Sequence, residues 1–379
     1  MKICAVSYIY PNPDKPILGS FVHEQLVEFA KNNEVHIITR KEPHWKIPDE
    51  EVIDEVHVHR VDASSDFLLP LKFFSKLISL NKKRDFDVIH VHFTGFLTMF
   101  CGFASVLLKK PFFITTYGIS LDPKSVSFFK RIVIRLSFLM ARRVISISKY
   151  TKKLCENYAP KRKHALITPG ITLSKLKPTI SGKDFRKKHK LGNGPLLLSI
   201  GGLVWRKGFD VTISALPNIV AKYPNLKLVI IGRGTEEKKL KRLTKDLKLQ
   251  KNVIFWPTWV SGQDLANFYN ACDIFILMNI TEGVAVQGFG IVYVEANAMG
   301  KPIIGGEGGG IRDAVIDNKT GFVIDPKDKK LIEQRLLQLI ESKKLRNRMG
   351  KAGKKYALRT HLWENKIEQM MELYSKYTK

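Results

Sequence analysis

A chain of 379 residues is longer than the size at which one hydrophobic core stops growing, so two domains are expected. Hydrophobic residues make up 44% and charged residues 26%, as in an ordinary folded protein with a sizeable core. The longest stretch free of Asp, Glu, Lys, Arg and His, residues 93–108, is too short and too glycine-interrupted for a membrane span, which needs about 20 apolar residues. Cys4, Cys101, Cys155 and Cys272 are scattered without a CxxC pair, which argues against a disulfide framework or zinc site and for reduced thiols in a cytoplasmic protein. The N-terminal MKICAVSYIY reads as a buried strand, not a secretion signal.

The formal net charge of +28 is unevenly placed. Residues 1–65 hold 7 Lys/Arg against 11 Asp/Glu, whereas residues 66–163 hold 19 against 5. Within the basic segment, SVSFFKRIVIRLSFLMARR carries Arg131, Arg135 and Arg142 at helical spacing among bulky apolar residues. That pattern fits a helix resting on anionic lipid headgroups. It fits equally a helix packed on a sheet with its arginines in water. Nucleic acid is not the expected partner, because no helix-turn-helix, RNP-like motif or aromatic–basic interleaving is present.

In chain order the first half alternates strands and helices. Strands are expected at residues 2–7, 35–39, 56–61, 88–92, 112–116 and 144–148, and helices at 21–31, 71–80, 98–108 and 125–143. Alternation with continuous apolar strands predicts a doubly wound parallel sheet. Residues 171–194, rich in Pro, Lys and Gly, read as a linker between a first domain (1–170) and a second (195–355). The second domain restarts the alternation, with strands at 196–200, 226–231, 253–255, 274–277, 302–305 and 321–324. Its helices are expected at 210–222, 236–247 and 263–270, and the C-terminal stretch is helical and charged. Two such halves would face one another across a central cleft at the carboxyl ends of both sheets.

The most informative passage is QGFGIVYVEANAMGKPIIG, residues 287–305. A bend at Gly288-Phe289-Gly290 feeds an apolar helix that carries a single carboxylate, Glu295. A helix N-terminus presents free backbone N–H groups and the positive end of a dipole, which receive phosphate. Glu295, eight residues after Gln287, is far enough along the helix to reach a ribose hydroxyl. The geometry suits a nucleotide sugar.

This passage resembles the E-x7-E signature of retaining GT-B glycosyltransferases, with Gln287 at the first acidic position. The resemblance covers nearly the whole chain in the family's order. PILGSFVHEQ resembles its first glycine loop, with Gly19 letting the backbone approach a donor diphosphate and Phe21 opening the helix behind. DVIHVHF resembles its HxH strand, where His90 and His92 share one face and suggest packing; no further metal ligand is apparent nearby. ITTYGIS places Tyr117 where relatives carry a histidine that contacts donor sugar or acceptor. GGLVWRKGFD matches the loop that delivers an Arg and a Lys to the donor phosphates: Lys207 holds the lysine position, Gly202 the arginine position, and Arg206 is adjacent. IIGRGTEEKKL, with Gly232 and Gly234, and GGEGGGIRDAV resemble two further glycine turns near the nucleotide. HLWENKIEQMMELY, within 356–379, resembles the last helix, which in this family returns to the first domain.

The resemblance therefore implies an α/β GT-B fold and a metal-independent retaining hexosyltransferase, mannose or glucose favoured. The donor would be GDP- or UDP-linked and the acceptor a glycan or a lipid-linked hydroxyl, at the cytoplasmic face of a membrane. Lys207, Gln287 and Tyr117 are the expected catalytic residues. Gly19, Arg206, Gly232, Gly288, Phe289, Gly290 and Glu295 join Lys207 in binding donor, with Lys207 facing the helix of Glu295 across the gap between the halves and Glu282 a further candidate from the preceding loop. Three departures, Tyr117, Gly202 and Gln287, keep open a weakened homologue that binds nucleotide sugar or glycan as a partner subunit. A sugar-nucleotide epimerase shares the fold, but its acidic and histidine set is not recognisable here.

Overall fold

The computed structural model describes residues 1–12, 15, 17–118, 121–257, 260, 262–281 and 287–378. They form two compact units, Met1–Gly170 with Trp363–Lys379, and Ile171–Leu362.

Among the described residues the first unit holds eight strands: β1 (Lys2–Ser7), β2 (Glu34–Lys41), β3 (Glu50–Ile53), β4 (Val56–Asp62), β5 (Val88–His92), β6 (Phe112–Thr116), β7 (Arg143–Ser146) and β8 (His164–Leu166). Their order is β3-β4-β2-β1-β5-β6-β7-β8. Only β3 runs antiparallel, against β4. Ile3, Cys4, Ala5 and Val6 of β1 are all fully buried. A central parallel strand is covered by helices on both faces, which explains its unbroken apolar run. The chain builds outward from β1 on one side, then crosses back to place β5 on the other, so the order reverses between β1 and β5.

Two strands escaped the sequence reading. β3, EEVI, is an edge strand alternating exposed and half-buried residues, and its two glutamates hide it. β8 is only three residues long. The arginine-striped helix is shorter than expected, Phe128–Met140, because the Ser127 hydroxyl caps it by accepting from the Lys130 N–H.

The C-terminal helix Trp363–Ser375 belongs to this first unit. Tyr374 stacks on Phe29 at 5.8 Å and packs on Phe113 at 4.7 Å. Its hydroxyl shares a 2.7 Å hydrogen bond with His90 Nδ1, while His90 Nε2 meets Thr115 Oγ1 at 2.7 Å. Burial holds the His90 imidazole down at about 3, so it stays neutral with both nitrogens engaged. Tyr374→Phe should therefore strand one buried ring nitrogen and lower unfolding stability by about 1–3 kcal/mol, measured by denaturant melts. An unchanged midpoint would show that this bond does not fasten the helix. The returning element starts at Trp363, not at 356: residues 356–360 continue the helix Lys343–Thr360, which packs on the helix Ile291–Ala298 of the second unit.

The second unit holds β9 (Leu196–Ile200), β10 (Lys227–Ile231), β11 (Val253–Trp256), β12 (Ile274–Leu277), β13 (Ile303–Gly306) and β14 (Gly321–Ile324). The order is β11-β10-β9-β12-β13-β14, with every pairing parallel. Here the reversal falls between β9 and β12. The expected single helix at 210–222 is two, Phe209–Ser214 and Pro217–Lys222, because Pro217 has no N–H to continue the first and suits the opening turn of the second.

The stretch 171–194, expected as a linker, is instead part of the second unit. It carries the helix Gly182–Lys188, capped by Ser181, which accepts from the Asp184 N–H. Arg186 donates to the Ala271 carbonyl and pairs with Asp273 at 2.8 Å, and Phe185 meets the Phe268 ring at 4.7 Å. One buried aromatic and one bidentate arginine dock a segment whose average composition looks like free chain.

Candidate active site

The chemistry-bearing residues of the second unit gather where its strand order reverses. β9 opens into residues 201–208, which contain the tight turn Trp205–Lys207. Its neighbour β12 opens into the loop that ends at the helix Ile291–Ala298. In open α/β sheets the crevice outside such neighbouring carboxyl ends is where ligands bind.

Side chains and backbone join these loops. Lys207 Nζ donates to Gln287 Oε1 at 2.8 Å. The Gln287 carbonyl accepts from the Gly310 N–H at 2.9 Å, which draws in the glycine-rich turn after β13. The Arg206 carbonyl accepts from the Ile280 N–H at 2.9 Å. At Gly232 the loop after β10 touches the loop after β9 so closely that a Cβ would lie 1.9 Å from the Gly201 carbonyl oxygen. Gly232 is thus a packing requirement between backbones.

The bend expected before the helix is present. Gly290 caps it with φ +101°, a left-handed conformation, and a Cβ there would sit 2.6 Å from the Tyr293 ring. Phe289 is buried against His361, with ring centres 5.4 Å apart, which fixes the bend, while Gly288 stays half-buried beside Gln287. Among the described residues no side chain caps the helix, and the first N–H groups of a helix lack intrahelical partners. Behind them the buried Tyr293 hydroxyl donates to the Leu277 carbonyl and accepts from Asn279, each at 2.6 Å.

The electrostatics are those of an anion receptor. Burial, with Arg206 beside it, lowers Lys207 to about 7. Burial likewise pulls Arg206 down, and among the described residues its guanidinium has no hydrogen bond or ion pair. Among the described residues the direct partner of Lys207 is a neutral amide, not a carboxylate. Two half-buried cationic groups near an uncapped helix start can receive a diphosphate.

Glu295 is half-buried on the same helix, and its Oε2 accepts from the Tyr269 hydroxyl at 2.7 Å. Tyr269 is fully buried, and burial followed by the Glu295 charge raises its pKa, so it remains a donor. No sequence signal marked Tyr269; it sits in ANFYNA, an unremarkable helix segment. Lys207, Gln287 and Glu295 all lie in the second unit. The expectation that Lys207 faces Glu295 from the opposite half is therefore corrected: strand order, not domain pairing, brings their loops together. Glu282 lies outside the described residues.

Gly19 and Tyr117 lie in the first unit. Gly19, at φ +68°, starts the helix Ser20–Ala30. The Tyr117 hydroxyl is 2.8 Å from His92 Nδ1, and its ring lies 4.8 Å from both Phe21 and Phe93. Burial raises its pKa, so it is a neutral phenol. Beneath it a cavity of about 10 Å³, room for one water, is lined by Phe21, Thr115 and Trp363 among others. His90 is spent on internal bonds at both nitrogens, and His92 at its Nδ1. Among the described residues no group of three or more His, Cys, Asp or Glu could hold a metal.

Residues 18–175 match the profile described as Glycosyltransferase Family 4, and residues 181–356 that of Glycosyl transferases group 1. Both halves of the chain therefore match glycosyltransferase models. A GDP-mannose-dependent alpha-(1-6)-phosphatidylinositol monomannoside mannosyltransferase of Mycolicibacterium smegmatis is 30% identical to this glycosyltransferase over 236 residues. That match covers 61% of this chain and 62% of that relative's length. An uncharacterised glycosyltransferase of Methanocaldococcus jannaschii is 26% identical, covering 99% of this chain and 98% of its own. Sucrose-phosphate synthase of Thermosynechococcus elongatus shares the GT-B fold with a TM-score of 0.81 at 19% identity, covering 99% of each chain.

Proposed function

We propose that this glycosyltransferase moves a hexose, mannose or glucose, from a GDP- or UDP-linked donor to a hydroxyl of a glycan or lipid-linked acceptor, with retention at the anomeric carbon. The observation that carries the reading is the Lys207–Gln287 hydrogen bond at the strand-order reversal, near an uncapped helix start. The donor diphosphate would take the place among Lys207, Arg206 and the N–H groups after Gly290. Glu295, held by Tyr269, would accept from the ribose, and Gln287 would bind a hydroxyl of the donor sugar. The mannosyltransferase relative favours GDP-mannose.

As the anomeric C–O bond to the diphosphate breaks, negative charge grows on the leaving oxygen, where fixed cations in a partly dry site stabilise it most. The acceptor oxygen bonds to the same face of that carbon and passes its proton to the leaving phosphate oxygen. In this reading Lys207, Arg206 and the helix N–H groups share the diphosphate charge without an obligatory metal. Tyr117 is the phenol we propose for a sugar or acceptor hydroxyl. We place the reaction peripherally on the cytoplasmic face of a membrane, consistent with the basic segment 66–163.

The experiment is incubation with GDP- and UDP-linked mannose and glucose, scored by thermal shift and by NMR of the product's anomeric configuration. One donor should stabilise the protein and yield an α-product from an α-donor. An inverted product would overturn the mechanism, and no stabilisation by any donor would overturn the site. Gln287, Gly202 and Tyr117 favour one second reading, a binding subunit. Tight donor binding without turnover, even with acceptors present, would establish it.

A further inference from the structure

Three helices of the first unit, Leu69–Arg84, Phe96–Leu107 and Phe128–Met140, pack side by side and carry no aspartate or glutamate in their combined length. They hold eight Lys or Arg. Helices that cross over between parallel strands run opposite to them, so all three begin at the carboxyl edge of this unit's sheet. At those beginnings large apolar side chains stand in water: Phe67 is 88% exposed, Phe128 77% and Phe129 64%, with Leu71 and Phe96 nearly half exposed. The Phe96 and Phe129 rings lie 5.8 Å apart, so the tips of adjacent helices are continuous. The exposed strip runs on through Phe103, Val106 and Leu107 of one helix and Ile132, Leu136 and Leu139 of the other.

Beside it lies an open groove of about 320 Å³, lined by Phe128, Arg131, Ile132 and Arg135. Arg131 is anchored to the backbone, its Nε donating to the Val126 carbonyl at 3.0 Å and its guanidinium also to the Pro123 carbonyl. Arg135 has no hydrogen bond or ion pair among the described residues. An apolar strip of this extent on a soluble face marks an interaction surface. Its charge selects the partner. A second copy would bring basic face to basic face, whereas a bilayer of anionic lipid offers acyl chains for the phenylalanines and phosphates for the arginines. No helix among the described residues is long and apolar enough to cross a membrane.

We infer that these three helices form a face that lies on an anionic lipid bilayer, with Phe67, Phe96, Phe128 and Phe129 inserted at the headgroup boundary and Arg131 and Arg135 on lipid phosphates. This deepens the peripheral-membrane part of the proposed function and rests on it. It leaves untouched the Lys207–Gln287 contact and Glu295, which lie in the second unit.

The test is flotation of the full-length protein with vesicles of phosphatidylcholine alone or doped with phosphatidylglycerol. Wild type should float with doped vesicles and be released by salt. Phe128→Ser with Phe129→Ser should weaken flotation about tenfold or more, since these rings are exposed in the free protein and buried only at the bilayer. Arg135→Gln should weaken it about fivefold, and only with doped vesicles. Far-UV circular dichroism and donor-induced thermal shift should be unchanged in each variant, which separates failure of this face from failure of the donor site. Indifference of wild type to phosphatidylglycerol would overturn the inference. So would full flotation of the double phenylalanine variant, or a wild-type dimer in sedimentation that the same variant makes monomeric.

Discussion

Lys207→Ala is expected to lower kcat/KM for the nucleotide-sugar donor by about 10²–10³, the effect of removing one fixed charge-stabilising donor from a dry site. Lys207 lies in a half-buried turn with no carboxylate partner among the described residues, its Nζ aimed at Gln287 Oε1. The same burial holds its pKa at about 7, far below that of a free lysine. The unfolded chain would therefore bind one more proton between about pH 7 and the ordinary lysine value, so this group's contribution to stability rises with pH across that window and is least favourable at neutral pH and below. Removing it should leave the melting temperature near neutral pH unchanged or raise it, while activity collapses. Donor titrations and thermal melts on the same preparation measure both. A large loss of stability would recast Lys207 as structural, and a change in kcat/KM of less than about threefold would remove it from the donor site.

Gln287→Glu is expected to move the alkaline limb of the pH profile. In wild type, the free-enzyme ammonium of Lys207 is lost above about 7, so kcat/KM for donor should fall about tenfold per pH unit beyond it. A carboxylate within hydrogen-bond reach of Lys207 favours the charged form and should raise its pKa by about 1–3 units. The limb should shift upward by that amount, and Lys207→Ala should abolish it. If Gln287 also selects the donor sugar, the variant will reorder kcat/KM across the mannose and glucose donors. An unmoved limb would mean that the Lys207–Gln287 contact does not govern the protonation of the site.

Both predictions turn on a contact eighty residues apart in sequence, which shows where legibility ended. The glycine bend, the helix behind it and the lone Glu295 could be read directly, because a positive φ demands glycine and one carboxylate on an apolar helix needs a partner. The identity of that partner could not be read: Tyr269 reaches Glu295 from a different helix, and no local pattern encodes which buried hydroxyl a fold brings near. The linker expectation failed for a related reason. Residues 171–194 average as polar and Pro/Lys-rich, yet Phe185 and Arg186 fasten them to the second unit through contacts more than 80 residues away.

By itself the sequence determined the alternation of strands and helices, the presence of two halves, and the glycine bend before the helix that carries Glu295. These follow from periodicity and backbone restriction, which act over a few residues. Tertiary structure alone decided that Lys207 meets Gln287 within one unit, that Tyr374 fastens the last helix to His90, and that three helices without acidic residues align their exposed phenylalanines along one edge. Strand order sets those neighbours, and it is chosen by packing of the whole unit.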